Sequence, residues 1–201
     1  MKEVIFATNN KYKLQEVQAI VDEICTTCKI KILSLEDINF KVDIPETKDT
    51  LEGNAVQKAR FIKHHTGYDC FADDTGLEID TLNGSPGIYS ARYAGQKASF
   101  SDNTRKVLRK LKDEKNRKAR FRTVIALIVD DKDYLFEGKV EGTILHAPQG
   151  KGGFGYDPIF KPLHHRKSFA EMDEKKKNKI SHRYHATQQL ASWLSENIDK
   201  F

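Results

Sequence analysis

Phe71-Ala72-Asp73-Asp74-Thr75-Gly76-Leu77-Glu78-Ile79-Asp80 is the stretch whose reading decides the fold. A short apolar run, Cys70 to Ala72, breaks into two carboxylates, a hydroxyl and a glycine. The pattern predicts strand, acidic turn and strand over residues 69–80, with oxygen ligands for a hard cation such as Mg2+ presented at a strand end. Adjacent side chains on extended backbone point to opposite faces. Asp73 and Asp74 are therefore expected to do different jobs, and only one should face a shared cleft. Alone, Asp-Asp-Thr-Gly would read as a solvated turn; the residues elsewhere in the chain change that reading.

Upstream, Val4-Ile5-Phe6-Ala7 is a continuous apolar run, the mark of a strand buried on both faces. Thr8-Asn9-Asn10 follows, and then Leu14, Val17, Val21 and Ile24 form one stripe of a helix predicted over 11–24. A strand, a polar turn and a helix leave free backbone N–H groups at the helix start, which is an anion site. Lys11 and Lys13 fall in that first turn, where the helix dipole disfavours cations unless an anion lies between them. The segment reads as a phosphate site, with Thr8 or Asn10 also capping the helix. Residues 30–35 alternate like a strand, Asp43 to Thr47 is a loop carrying Glu46, and a helix is expected over 50–65. That helix packs through Leu51, Ala55, Ala59 and Ile62, with Gly67 as its stop signal.

Downstream, Asn83-Gly84 marks a tight turn and residues 87–95 read as a loop containing Arg92. Residues 101–115 form a helix with Val107, Leu108 and Leu111 inward and a basic face in solvent. Residues 120–129 and 134–146 are two antiparallel strands joined by Asp130-Asp131-Lys132-Asp133. Gly150 to Gly155 matches GxGxxG, but Ala147-Pro148 precedes it and Pro158 follows, so the strand and helix of a dinucleotide fingerprint are missing. The alternative is a loop whose glycines let backbone approach a flat ligand, with Phe154 and Tyr156 offering aromatic faces and Asp157 an acceptor; glycines and aromatics alone fit a structural turn equally well. Ser168 and Glu171 fit a capping box. Lys175 to Lys179 concentrate positive charge before a last helix that opens at Ser181-His182-Arg183 and is held by Leu190, Leu194 and Ile198. That placement suits a planar or phosphate ligand.

The 201 residues, 38% of them hydrophobic, can bury one substantial core, as a single domain or a closely joined two-lobed one. No apolar run is long enough to cross a bilayer, and Met1-Lys2-Glu3-Val4 lacks a signal-peptide layout. Three cysteines without framework spacing suit a reducing, cytoplasmic setting. Cys25-Thr26-Thr27-Cys28 is a lone CxxC at the wrong end of its helix for redox activation, with no second pair for zinc, and reads as structural. The net charge of +5 favours anionic ligands in general.

Five motifs stand in order: Thr8-x-Asn10-x-x-Lys13-x-x-Glu16, Ala72 to Gly76, Gly84-x-Pro86-Gly87-x-Tyr89-Ser90-Ala91-Arg92-Tyr93, Gly152 to Pro158, and Ser181-His182-Arg183. Together they resemble the inosine triphosphate pyrophosphatase family over nearly the whole chain. Thr75 stands where many relatives have serine, and Pro45-Glu46 where some carry paired acids. The resemblance implies an elongated α/β fold: a central mixed sheet flanked by helices, two lobes with an active-site cleft between them, and a homodimer. It implies Mg2+-dependent hydrolysis of deaminated purine nucleoside triphosphates to monophosphate and pyrophosphate, without nucleic-acid or membrane partners. Asp74 would be metal ligand or general base, with Glu46 completing the metal site. Thr8, Asn9, Asn10, Lys11, Lys13 and Thr75 would hold phosphates. Phe154, Gly155, Tyr156, Asp157, Lys177, His182 and Arg183 would hold the nucleoside end. Two other readings are a pyrophosphatase for modified pyrimidine nucleotides and a basic nucleic-acid-binding module built on Arg105 to Arg122; the latter leaves Asp73-Asp74 unexplained.

Overall fold

The computed structural model describes residues 2–24 and 30–197. The Cys25–Cys28 pair and Ile198, read above, lie outside the described residues. In chain order the regular elements are β1 (Lys2–Phe6), α1 (Lys11–Ile24), β2 (Ile30–Leu33), α2 (Leu51–Thr66), β3 (Cys70–Ile79), α3 (Phe100–Lys110), β4 (Lys118–Val129), β5 (Lys132–Ile144), β6 (Phe160–Pro162), α4 (Glu174–Asn178) and α5 (His182–Glu196).

The strands form one mixed sheet in the order β2-β1-β3-β4-β5-β6. β1 runs parallel to both neighbours, with Val4 opposite Ile32 and Phe6 opposite Phe71. Parallel neighbours need crossover connections, and α1 and α2 supply them. β4 and β5 are joined by Asp130 and Asp131, both with positive φ (47° and 59°). This two-residue turn is tighter than the four-residue link predicted, and its twist matches that of paired strands. β6 closes the order antiparallel to β5, with Ile144 opposite Phe160.

The chain divides into two compact units, Met1–Asp74 with Thr123–Gly138 and His182–Phe201, and Thr75–Arg122 with Lys139–Ser181. Each has its own apolar core. In the first, Val4, Phe6 and Phe71 of the sheet pack with Val17 and Val21 of α1 and Leu190 and Leu194 of α5. In the second, Leu77 and Ile79 pack with Val107, Leu111, Phe121, Phe160 and Phe169.

α2 forms as predicted: the Thr50 side chain accepts from the Gly53 amide, and Gly67 ends the helix at φ +75°. Three further expectations need correction. β3 runs unbroken through Asp73-Asp74-Thr75-Gly76, so there is no acidic turn. Gly76 is there for clearance, since a Cβ would lie 2.7 Å from the Gly87 carbonyl oxygen. Residues 87–92 form a 3-10 helix rather than a loop. α3 starts at Phe100, capped by Ser99 and Asp102, and stops at Lys110, short of the predicted residue 115. Lysines 175–177 lie on α4 itself, a short helix behind the Asp173 cap.

Because the obstacle at Gly76 is backbone, it has no rotamer to swing away. Gly76→Ala should cost about 1–3 kcal/mol, the range for forcing a methyl into a packed site. Urea denaturation checks this: the midpoint should fall with the slope unchanged, and an unmoved midpoint would show that the Gly87 segment yields freely.

Candidate active site

β3 carries two adjacent carboxylates into the interior: Asp73 is 2% exposed and Asp74 7%. Strand alternation gives them different partners. Asp73 accepts from Lys13 Nζ of α1 at 2.9 Å, and Arg183 Nε of α5 lies 3.8 Å from it. Arg183 is fully buried and donates to Glu16, one turn beyond Lys13 on α1. Asp74 instead accepts from the Asn54 amide at 3.1 Å, with Lys58 Nζ 3.6 Å away. Lys58 donates to Glu46 at 2.6 Å. Asn54 and Lys58 sit one turn apart on α2, on the stripe that also buries Leu51, Ala55 and Ile62.

These surroundings drive the two carboxyls in opposite directions. Burial works against the Asp73 charge, but Lys13, Arg183 and Lys58 outweigh it and hold the carboxyl at about 2. For Asp74 burial wins, with Glu46 adding to it against the pull of Lys58, Lys13 and the Asn54 amide, and the carboxyl rises above its ordinary 3.8. Burial also pushes the Lys13 ammonium below its ordinary 10.5; Asp73 pulls it back, while Lys58 and Arg183 add to the fall. Lys58 is opposed by burial too, yet Asp74, Asp73 and Glu46 together keep its ammonium above 10.5.

At the start of α1, Asn10 Oδ1 accepts from the Tyr12 and Lys13 amides at 3.0 and 3.3 Å, and Thr8 Oγ1 accepts from the Asn10 amide at 3.2 Å. Capping thus takes two of the amides that the sequence assigned to an anion, and Asp73 is the anion beside Lys13. Lys11 differs from its neighbour: its side chain is 83% exposed and stands 3.9 Å from an equally exposed Glu36. It is a solvated residue, as is Asn9.

A second constellation lies within the other unit. Asp157 Oδ2 accepts from the Phe154 amide and from Lys177 Nζ, each at 2.9 Å. Both charged side chains are buried, and the Lys177 ammonium stands 4.9 Å from the centre of the half-buried Phe154 ring. Gly153, at φ +70°, has no room for a Cβ beside the Asp157 carboxylate. The Gly155 carbonyl accepts from Thr104 Oγ1 at 3.4 Å. Tyr156 departs from the sequence reading, since its ring belongs to the core and its hydroxyl donates to the Ser90 carbonyl at 2.7 Å. It offers no aromatic face, and burial pushes its phenol upward. Thr75 is half-buried in β3, and His182 is buried at the start of α5.

The structure therefore joins Lys13, Asp73 and Arg183 in one group, Glu46 and Asp74 around one ammonium, and Phe154, Asp157 and Lys177 in another. Sequence reasoning missed Asn54 and Lys58 and gave Glu16 no role. Polar residues at core-facing helix positions were the available signal: 54 and 58 fall on the same 3.6-residue stripe as 51, 55 and 62. Among the described residues no group of three or more His, Cys, Asp or Glu side chains could hold a metal. Two carboxylates remain, Glu46 and Asp74. That donor set fits Mg2+, which binds through one or two carboxylates with phosphate and water completing its octahedron.

The Ham1 family model matches residues 4–193. A dITP/XTP pyrophosphatase of Flavobacterium johnsoniae is 52% identical over 96% of this chain and 97% of its own. One from Porphyromonas gingivalis is 51% identical over 96% and 98%. Among solved structures, a HAM1 protein from Coxiella burnetii superposes with a TM-score of 0.89 at 40% identity, covering 98% of this chain and 100% of its own.

Removing one partner of a buried ion pair leaves the other charge uncompensated, which costs about 3–5 kcal/mol. Asp73→Asn should therefore lose roughly that stability at pH 7. The Asp73 carboxyl is depressed on folding, so its contribution is present above the ordinary 3.8 and lost as the pH falls toward about 2. Denaturation curves should show a wide wild-type-to-variant gap at neutral pH that closes in acid. A gap independent of pH would contradict the assignment.

Proposed function

This chain belongs to the Ham1 family, and on that premise we propose that it hydrolyses deaminated purine nucleoside triphosphates, namely ITP, dITP and XTP, to the monophosphate and pyrophosphate. One observation carries the reading: relatives named dITP/XTP pyrophosphatases share about half of its residues over nearly its full length. The side chains supply what such a reaction needs.

A triphosphate concentrates negative charge, and stabilising that charge as it shifts is the main catalytic task. Lys13 and Thr75, with the capped start of α1 at Thr8 and Asn10, hold phosphates. Asp74, whose carboxyl is raised by burial, takes a proton from the attacking water, whose oxygen joins phosphorus as the bond between the first and second phosphates breaks and pyrophosphate leaves. Glu46 and Asp74 would hold Mg2+. When bound, the ion neutralises phosphate oxygens and strengthens the electrophile.

At the nucleoside end, Phe154 stacks on the base, and Lys177 and Asp157 fix the loop that presents it. His182 and Arg183 supply donors for the six-keto oxygen of hypoxanthine and xanthine; a guanidinium only donates. Adenine offers an amino donor there, so the pairing is lost with ATP. Sites built on such a bond reject analogues lacking it by about four orders of magnitude. Stacking cannot make that choice, because every base has a π-face. A cytoplasmic homodimer completes the proposal.

Pyrophosphate release from a panel of triphosphates, with and without Mg2+, tests the function. ITP and XTP should turn over at least a hundredfold faster than ATP, and only with the metal. Wild-type protein hydrolysing ATP as fast as ITP would overturn the substrate assignment. Asp74→Asn keeps the shape and removes the base, so kcat should fall roughly a hundredfold or more. Near-normal turnover in that variant would remove Asp74 from the mechanism.

A further inference from the structure

Lys58 is buried on the core-facing stripe of α2, a position that a lysine occupies only when paired. Its ammonium donates to Glu46 Oε1 at 2.6 Å and lies 3.6 Å from Asp74 Oδ1. These are the two carboxylates assigned above to Mg2+, so the inference rests on that assignment. An ammonium has three donors and no lone pair. It can satisfy the carboxylates in a cation's place, and it cannot ligate the cation. A divalent ion bound by the same oxygens would stand within a few ångströms of a fixed positive charge in a poorly solvated site.

We propose that Lys58 is the resident counter-charge of Glu46 and Asp74, standing where the divalent cation binds, so that the cation enters only as the ammonium swings out. The four-carbon stem permits that exchange, since the charge sits on rotatable bonds rather than on a rigid fork. Two carboxylates already neutralised by a lysine make a weak site for a bare cation. A cation that arrives with a triphosphate brings both the missing oxygen ligands and a new anionic partner for the displaced ammonium. Lys58 thereby positions metal loading to coincide with substrate, and it acts through the carboxylates.

The test measures Mn2+ binding to the nucleotide-free full chain, reading free Mn2+ by electron paramagnetic resonance. Lys58→Met should bind Mn2+ at least tenfold more tightly than wild type, and Lys58→Gln should do the same if the methionine variant fails to fold. Lys58→Arg keeps the charge and should stay as weak as wild type. Neutral variants that bind no more tightly than wild type would overturn the proposal, as would a protein in which no variant binds Mn2+ at all. Neither outcome bears on the substrate, which wild-type pyrophosphate release from ITP tests separately.

Discussion

Two carboxylates side by side on a buried strand constrain much of this structure. Each charge taken out of water costs several kcal/mol unless a cation and hydrogen bonds replace the solvent. β3 meets that requirement by sending the two side chains to different helices: Asp73 to Lys13 of α1 and Arg183 of α5, Asp74 to Asn54 and Lys58 of α2. Glu16 and Glu46 then balance the extra cations. Polar residues that look out of place singly are required once the strand is charged. Lys13 in a first helical turn and Arg183 in the interior are the clearest cases.

The same balance separates the two neighbouring carboxyls. Asp73 is surrounded by cations and held ionised far below neutral pH, which makes it a fixed anchor. Asp74 has weaker compensation, and burial raises its carboxyl above the ordinary 3.8. Adjacent residues of identical chemistry are thus driven in opposite directions by their partners. The second unit uses a smaller version of the arrangement: one carboxylate, Asp157, with one buried ammonium, Lys177, fixes the backbone that carries Phe154.

Much of this was legible in the sequence. Apolar stripes gave α1 and α2 to within a residue, and the apolar run Val4 to Ala7 gave β1 two residues late at its start, because burial sets those periods directly. The Gly67 stop followed from local backbone chemistry, whereas Thr50, read as the first helical residue, is the N-cap. The acidic strand was misread as a turn because Asp-Asp-Thr-Gly has turn composition, and only the long-range cations reveal that it is paired and extended. Tyr156 was misread for a related reason: an aromatic in a glycine-rich loop gives no local sign of whether its ring faces solvent or core. Asn54 and Lys58 lay on a legible stripe, but the periodicity of α2 alone does not say that the surface opposite them is charged. Lys11 and Lys13, two residues apart, show the same limit, since one is solvated and the other is part-buried against Asp73.

The split between the neighbouring aspartates is open to direct measurement by carbon-13 NMR titration of the side-chain carboxyls in the metal-free protein. The account predicts one β3 aspartate titrating at about 2 and the next titrating above the ordinary 3.8. Assignment through Asp73→Asn and Asp74→Asn should give the low value to Asp73. Two carboxyls titrating together near 3.8, or the order reversed, would contradict it.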